Sequence, residues 1–114
     1  MKFEELNEYR RDLKKLTRRF RTLPDDIEVL KKVLKAEPDE RPPVSYRIKG
    51  LGLKSTIIKV KRIACRSLKN RGANTGLRLI YCYDKTDEEI TLIEIYFKGD
   101  KETEDRERVM KNFE

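Results

Sequence analysis

Apolar positions along residues 3–20 recur at helical spacing. Phe3, Leu6, Tyr9, Leu13, Leu16 and Phe20 share one side of a helical wheel, which predicts an amphipathic helix over residues 3–21. Leu23-Pro24-Asp25-Asp26 then restarts the chain. Pro24 suits a first helical turn, and the two aspartates suit its positive dipole end. Ile27, Leu30, Val33 and Leu34 form the stripe of a second helix ending near Ala36, and Pro38, Pro42 and Pro43 stop it. Two helices joined by so short a turn read as an antiparallel hairpin.

Beyond the prolines the period changes from helical to alternating. Residues 44–49 alternate apolar and polar, a half-buried strand whose outer face carries Arg47 and Lys49. Gly50-Leu51-Gly52 turns the chain. Residues 57–65 predict a second strand, with Ile58, Val60 and Ala64 on one side and Lys59, Lys61 and Ile63 on the other. A polar loop over residues 67–76 holds Lys69 and Arg71. Residues 77–83 and 90–97 are two more strands, joined by a turn short enough for an antiparallel hairpin. A final helix, capped by Thr103 or Asp100, runs to about Phe113. This order predicts one α+β domain over residues 1–114, with an N-terminal helical hairpin packed on a mostly antiparallel sheet and a short C-terminal helix.

Charge sharpens the picture. The chain carries a net +7, and residues 41–83 hold 11 basic residues and no acidic one, whereas the remainder holds 17 basic and 21 acidic. A local field of that size in a folded domain suits a polyphosphate, whereas a merely solvated face mixes signs. No apolar run approaches the roughly 18 residues of a membrane span. Met1 leads into a charged amphipathic stretch instead of a secretory signal, so the expected location is the cytoplasm, with no membrane partner. Cys65 and Cys82 fit neither a metal motif nor a disulfide framework and are expected to pack as small hydrophobes. With no histidine in the chain, Ser-His-Asp triads, histidine acid–base pairs and an ordinary catalytic zinc site are excluded, and no cofactor is expected.

Two elements combine cations with geometry. Lys59 and Lys61 stand two apart on a strand, so both ammonium groups leave one face, roughly 7 Å apart along the chain. Arg78 is the one charge in the apolar run Leu77-Arg78-Leu79-Ile80-Tyr81, and its planar fork suits phosphate oxygens. Pairing with Glu94 on the neighbouring strand is the structural alternative. The RNA 2′-OH is itself a nucleophile, so a protein need only take its proton and neutralise the phosphorane, and fixed Lys and Arg groups can do the latter. DNA lacks that hydroxyl. The residues permit this chemistry without separating cleavage from binding.

The stretch Ile58-Lys59-Val60-Lys61-Arg62, followed by Gly76-Leu77-Arg78-Leu79-Ile80-Tyr81, resembles the RelE/ParE superfamily of bacterial and archaeal type II toxins. Tyr46-Arg47-Ile48-Lys49-Gly50-Leu51 resembles that family's first meander strand, and Ile93-Glu94-Ile95-Tyr96-Phe97-Lys98-Gly99-Asp100-Lys101 its last strand and the basic residues after it. The resemblance implies a ribosome-dependent mRNA endonuclease that leaves a 2′,3′-cyclic phosphate and is held inactive by a cognate antitoxin protein. It implies Lys59 and Lys61 as the paired strand lysines, either serving as base with the other on phosphate, and Arg78 as the transition-state arginine. Arg47, Lys49, Arg62, Lys69, Arg71 and Lys101 are the cations expected to bind RNA beside them, with Lys69 and Arg71 expected to touch ribosomal RNA. The chain departs from the family where RelE-like enzymes often carry a C-terminal tyrosine: residues 102–114 have no Tyr or His, and Phe113 is their only aromatic. Tyr81, Tyr83 and Tyr96 are the candidates to stack on a base instead. A gyrase inhibitor of the ParE kind and a non-catalytic RNA-binding module are the alternatives within the same sequence pattern.

Overall fold

In a computed structural model describing all 114 residues, the chain begins with a strand, not a helix. Lys2–Glu5 (β1) runs parallel to the strand Glu89–Phe97 (β5), with Lys2 opposite Glu89 and Glu5 opposite Leu92. This corrects the expectation of a helix from residue 3. Phe3 and Leu6 satisfy a helical stripe, but β5 offers an edge whose backbone groups need partners, and Lys2–Glu5 pairs with it. The Lys2 amide donates to the Glu88 carbonyl and the Leu6 amide to the Leu92 carbonyl, each at 3.0 Å. Leu6 is extended, and helix α1 then covers Asn7–Thr17.

Helix α2 spans Leu23–Ala36, with Pro24 in its first turn and Asp25 and Asp26 at its positive end, as the sequence predicts. The Thr22 hydroxyl and the Asp26 carboxylate are linked at 2.8 Å. Burial pushes the Asp26 carboxyl up, but hydrogen bonds from Thr22, Cys65 and Arg66 outweigh it and leave it below the ordinary aspartate value. Three further strands are Ser45–Arg47 (β2), Thr56–Val60 (β3) and Leu77–Asp84 (β4). The sheet order is β1-β5-β4-β3-β2, and every pairing except β1 with β5 is antiparallel. A 3₁₀ segment, Arg66–Arg71, lies within the expected polar loop. Its Ser67 hydroxyl is 2.9 Å from that of Thr22, which ties it to the start of α2.

Alternation along the strands divides the sheet into two faces. Ile58, Val60, Leu77, Leu79, Tyr81, Ile90, Leu92 and Ile95 pack with Tyr9, Leu16, Leu23 and Ile27 of the helical hairpin, forming the main core. Ile57, Ile80, Cys82, Ile93 and Tyr96 form a smaller cluster on the opposite face, partly covered by Val109 and Phe113 of helix α3 (Arg106–Phe113). Cys65 belongs to the first cluster and Cys82 to the second, both as free buried thiols, and burial pushes Cys82 up to about 11.

Two boundaries differ from the sequence reading. β3 ends at Val60, and beyond it Ile63 is buried in the main core while Ala64 is exposed, the reverse of simple alternation. The cap of α3 is Asp105, whose carboxylate accepts from the Arg108 amide at 3.1 Å, while Asp100 is engaged by Arg19 at 2.6 Å. No helix is long and apolar enough to cross a membrane.

Candidate nucleic-acid interface

The face turned away from α1 and α2 gathers the catalytic candidates. Lys59 lies opposite Tyr46 of β2 and Ile80 of β4, so all three side chains leave the same face. Arg78 sits two positions before Ile80 and opposite Tyr96 of β5, which brings it to that face as well. Its guanidinium Nη1 donates to the Lys61 carbonyl at 2.9 Å and the Leu77 carbonyl at 3.2 Å. These bonds hold the side chain over the seam between β3 and β4 without using a carboxylate. The expected alternative, pairing with Glu94, is not formed: Arg78 lies opposite Tyr96, and the Glu94 carboxylate is taken by the Lys101 ammonium and the Asp105 amide.

Two buried carboxylates lie beneath these cations. The Glu104 side chain is only 4% exposed and receives the Lys59 ammonium at 3.2 Å. Burial pushes its carboxyl up, but hydrogen bonds from Thr103, its own backbone amide and Lys59 outweigh this and hold it below the ordinary glutamate value. Glu94, also buried, accepts from the Lys101 ammonium and, at 2.8 Å, from the Asp105 amide. The pair thereby fixes the segment that links β5 to α3. Lys61, by contrast, is exposed and free of carboxylates, and its ammonium lies 5.2 Å from the centre of the Tyr46 ring.

Two tyrosines frame the cations. Tyr46, 37% exposed, presents its ring to solvent beside Lys61. Tyr96 is buried against the sheet with the Lys101 ammonium 5.2 Å from its ring centre. Burial, reinforced by Glu104 and Glu94 and opposed by Arg78, pushes its hydroxyl up to about 12, so it stays protonated at neutral pH.

The other predicted residues separate from this group. Tyr81 faces the helices, fully buried, and its hydroxyl donates to the Pro38 carbonyl at 2.6 Å, so its ring is not open to a base in this fold. Tyr83 packs against the same core. Arg47 lies opposite Ile58, on the other face from Lys59, and its fork is held by Asp39 at 2.6 Å. Lys49 and Arg62 are exposed. Lys69 and Arg71 are exposed on the 3₁₀ segment near the start of α2. Within residues 41–83, four of the eleven cations are neutralised by carboxylates from outside the stretch: Arg41 by Glu37, Arg47 by Asp39, Lys59 by Glu104 and Arg66 by Asp26.

The structure adds Tyr46, Glu94 and Glu104 to the group found from the sequence. The alternation of Val44, Tyr46 and Ile48 set Tyr46 on the buried side of its strand, whereas in the fold Ser45 is buried and Tyr46 stands at the surface beside Lys61. The carboxylates carry no local signal, because their partners are 7 and 45 residues away. Neither protein-family models nor curated protein sequences give a match to the chain.

Proposed function

We propose that the cationic sheet face binds RNA and cleaves it, as a ribosome-dependent endoribonuclease of the RelE-like toxin kind whose activity an antitoxin protein restrains. The observation that carries this reading is the convergence of Lys59, Lys61 and Arg78 on one face beside a solvent-presented tyrosine. Stacking on Tyr46 suits a single-stranded base, and interleaved cations suit its phosphates. In the proposed reaction the 2′-oxygen loses its proton, attacks the adjacent phosphorus and expels the 5′-oxygen, which leaves with a proton; the products are a 2′,3′-cyclic phosphate and a 5′-hydroxyl. Lys61, which no carboxylate holds, is the better placed to exchange the proton. Lys59, anchored by Glu104, supplies fixed positive charge. Arg78 faces the equatorial phosphate oxygens, where preorganised donors stabilise charge that develops only in the transition state.

The Lys59–Glu104 pair also favours a second reading, in which the face holds RNA without cutting it, since a lysine already committed to a carboxylate is less available to phosphate. Incubating the protein with translating ribosomes and mRNA, then mapping RNA 5′ ends, separates the two. Cuts made by the wild type and lost in Arg78→Ala and in Lys59→Ala/Lys61→Ala support cleavage. Ribosome binding without cuts supports the second reading. The absence of both refutes each and directs attention to gyrase.

A further inference from the structure

We propose that the outward face of α1 is a second docking surface, one that receives the phosphates of double-stranded RNA. Between Arg10 and Arg21 the chain has seven cations and one carboxylate. Arg11, Lys14, Lys15 and Arg18 recur at three- and four-residue spacing, so they form one stripe opposite the buried Tyr9 and Leu16. All four are exposed. Their neighbours are neutralised, Arg10 by Glu5, Arg19 by Asp100, and Asp12 by Arg108, whereas no carboxylate pairs with any of the four. The stripe therefore concentrates four unpaired cations over about 10 Å of helix, against one unpaired carboxylate, Glu8, in the same groove.

The chemistry of the stripe selects its partner. A single strand needs aromatic platforms for its bases, and the stripe has none. A protein partner needs an apolar or aromatic anchor at the centre of the contact, and none stands among these side chains. A duplex displays closely spaced phosphates at its surface and asks only for cations. The α1 hairpin and the Lys59 face lie on opposite sides of the sheet, so the two surfaces suit different parts of one folded RNA. The choice of RNA over DNA rests on the reading of the Lys59 face as an RNA site; the duplex assignment does not.

Fluorescence anisotropy with a labelled blunt RNA duplex of about 20 base pairs tests this without any cleavage step. The stripe variant is Arg11→Ala/Lys14→Ala/Lys15→Ala/Arg18→Ala, which keeps helix propensity high. It is expected to lose at least tenfold in affinity near 100 mM salt and to flatten the slope of log affinity against log salt by about three to four. Lys59→Ala/Lys61→Ala/Arg78→Ala is expected to keep duplex affinity within about twofold, including when its cleavage is lost. If the stripe variant fails to fold, Lys14→Ala and Arg18→Ala singly should each reduce the slope by about one. Duplex binding unchanged in the stripe variants overturns the proposal. So does polyglutamate bound as tightly as duplex through the same four residues, which would indicate an acidic protein. DNA duplex bound as tightly as RNA would overturn the RNA assignment.

Discussion

Glu104→Gln removes one charge from beneath the cationic face while preserving shape. The Glu104 side chain is 4% exposed, Lys59 is 18% exposed, and the two charges are 3.2 Å apart. At that distance and an effective dielectric near 20, the gross attraction is about 5 kcal/mol, much of it offset by desolvation. Breaking a fully buried pair costs about 3–5 kcal/mol. Lys59 retains a path to water and Thr103 can still donate to the amide oxygen, so the expected loss is about 2 kcal/mol. For a domain of this size that lowers Tm by about 6–10 °C. The loss is also pH-dependent. Glu104 is held below its ordinary value of 4.5, so its charge stabilises the fold fully above that value and progressively less as pH falls through the depressed folded value. Urea unfolding of wild type and variant between about pH 7 and pH 3 should show a gap that is widest at neutral pH and narrows below about pH 4.5. A gap that is absent at pH 7, or constant across the range, would refute the linkage between Glu104 and Lys59.

Other perturbations have defined outcomes. The Tyr9 hydroxyl is buried without a partner, so Tyr9→Phe should leave urea stability unchanged or raise it by about 1 kcal/mol; a loss larger than that would mean the hydroxyl is bonded. Gly76 has φ +86°, and a Cβ there would meet the Phe97 ring at 3.2 Å. Gly76→Ala should therefore destabilise the domain by about 1–2 kcal/mol in thermal melts, and an unchanged Tm would contradict the strain. Arg78→Lys keeps the charge but loses the planar fork that bonds the Lys61 and Leu77 carbonyls. RNA affinity should stay within severalfold while ribosome-dependent cleavage falls at least tenfold, and equal cleavage would remove Arg78 from the transition state.

The α2 boundaries, the strand order after Gly50 and the common face of Lys59 and Lys61 were legible because each follows from local period or punctuation, whereas the register that brings Arg78 to the same face does not. The parts that were not legible depend on distant chain. β1 is a strand because β5 lies beside it, 87 residues away in register, and nothing within Lys2–Glu5 encodes that edge. Tyr81 and Tyr96 look alike in sequence, but the bulge in the β4–β5 pairing and the opposite faces of their strands send one into the helical core and the other beneath the cations. The charge count by segment located the basic middle stretch, yet it could not show that Arg47 and Lys59 are answered by Asp39 and Glu104. It also averaged the α1 stripe with the carboxylates on either side.

The most direct test of the Lys59–Lys61–Arg78 face as an RNA-cleaving site is the cutting of a ribosome-bound mRNA carrying one 2′-deoxynucleotide immediately 5′ of the scissile phosphate. Attack by the 2′-oxygen predicts that this mRNA is bound as tightly as the all-ribose one and is not cut at that bond, while the all-ribose strand is cut to a 2′,3′-cyclic end. Equal cutting of both strands, or no cutting of either, would contradict it.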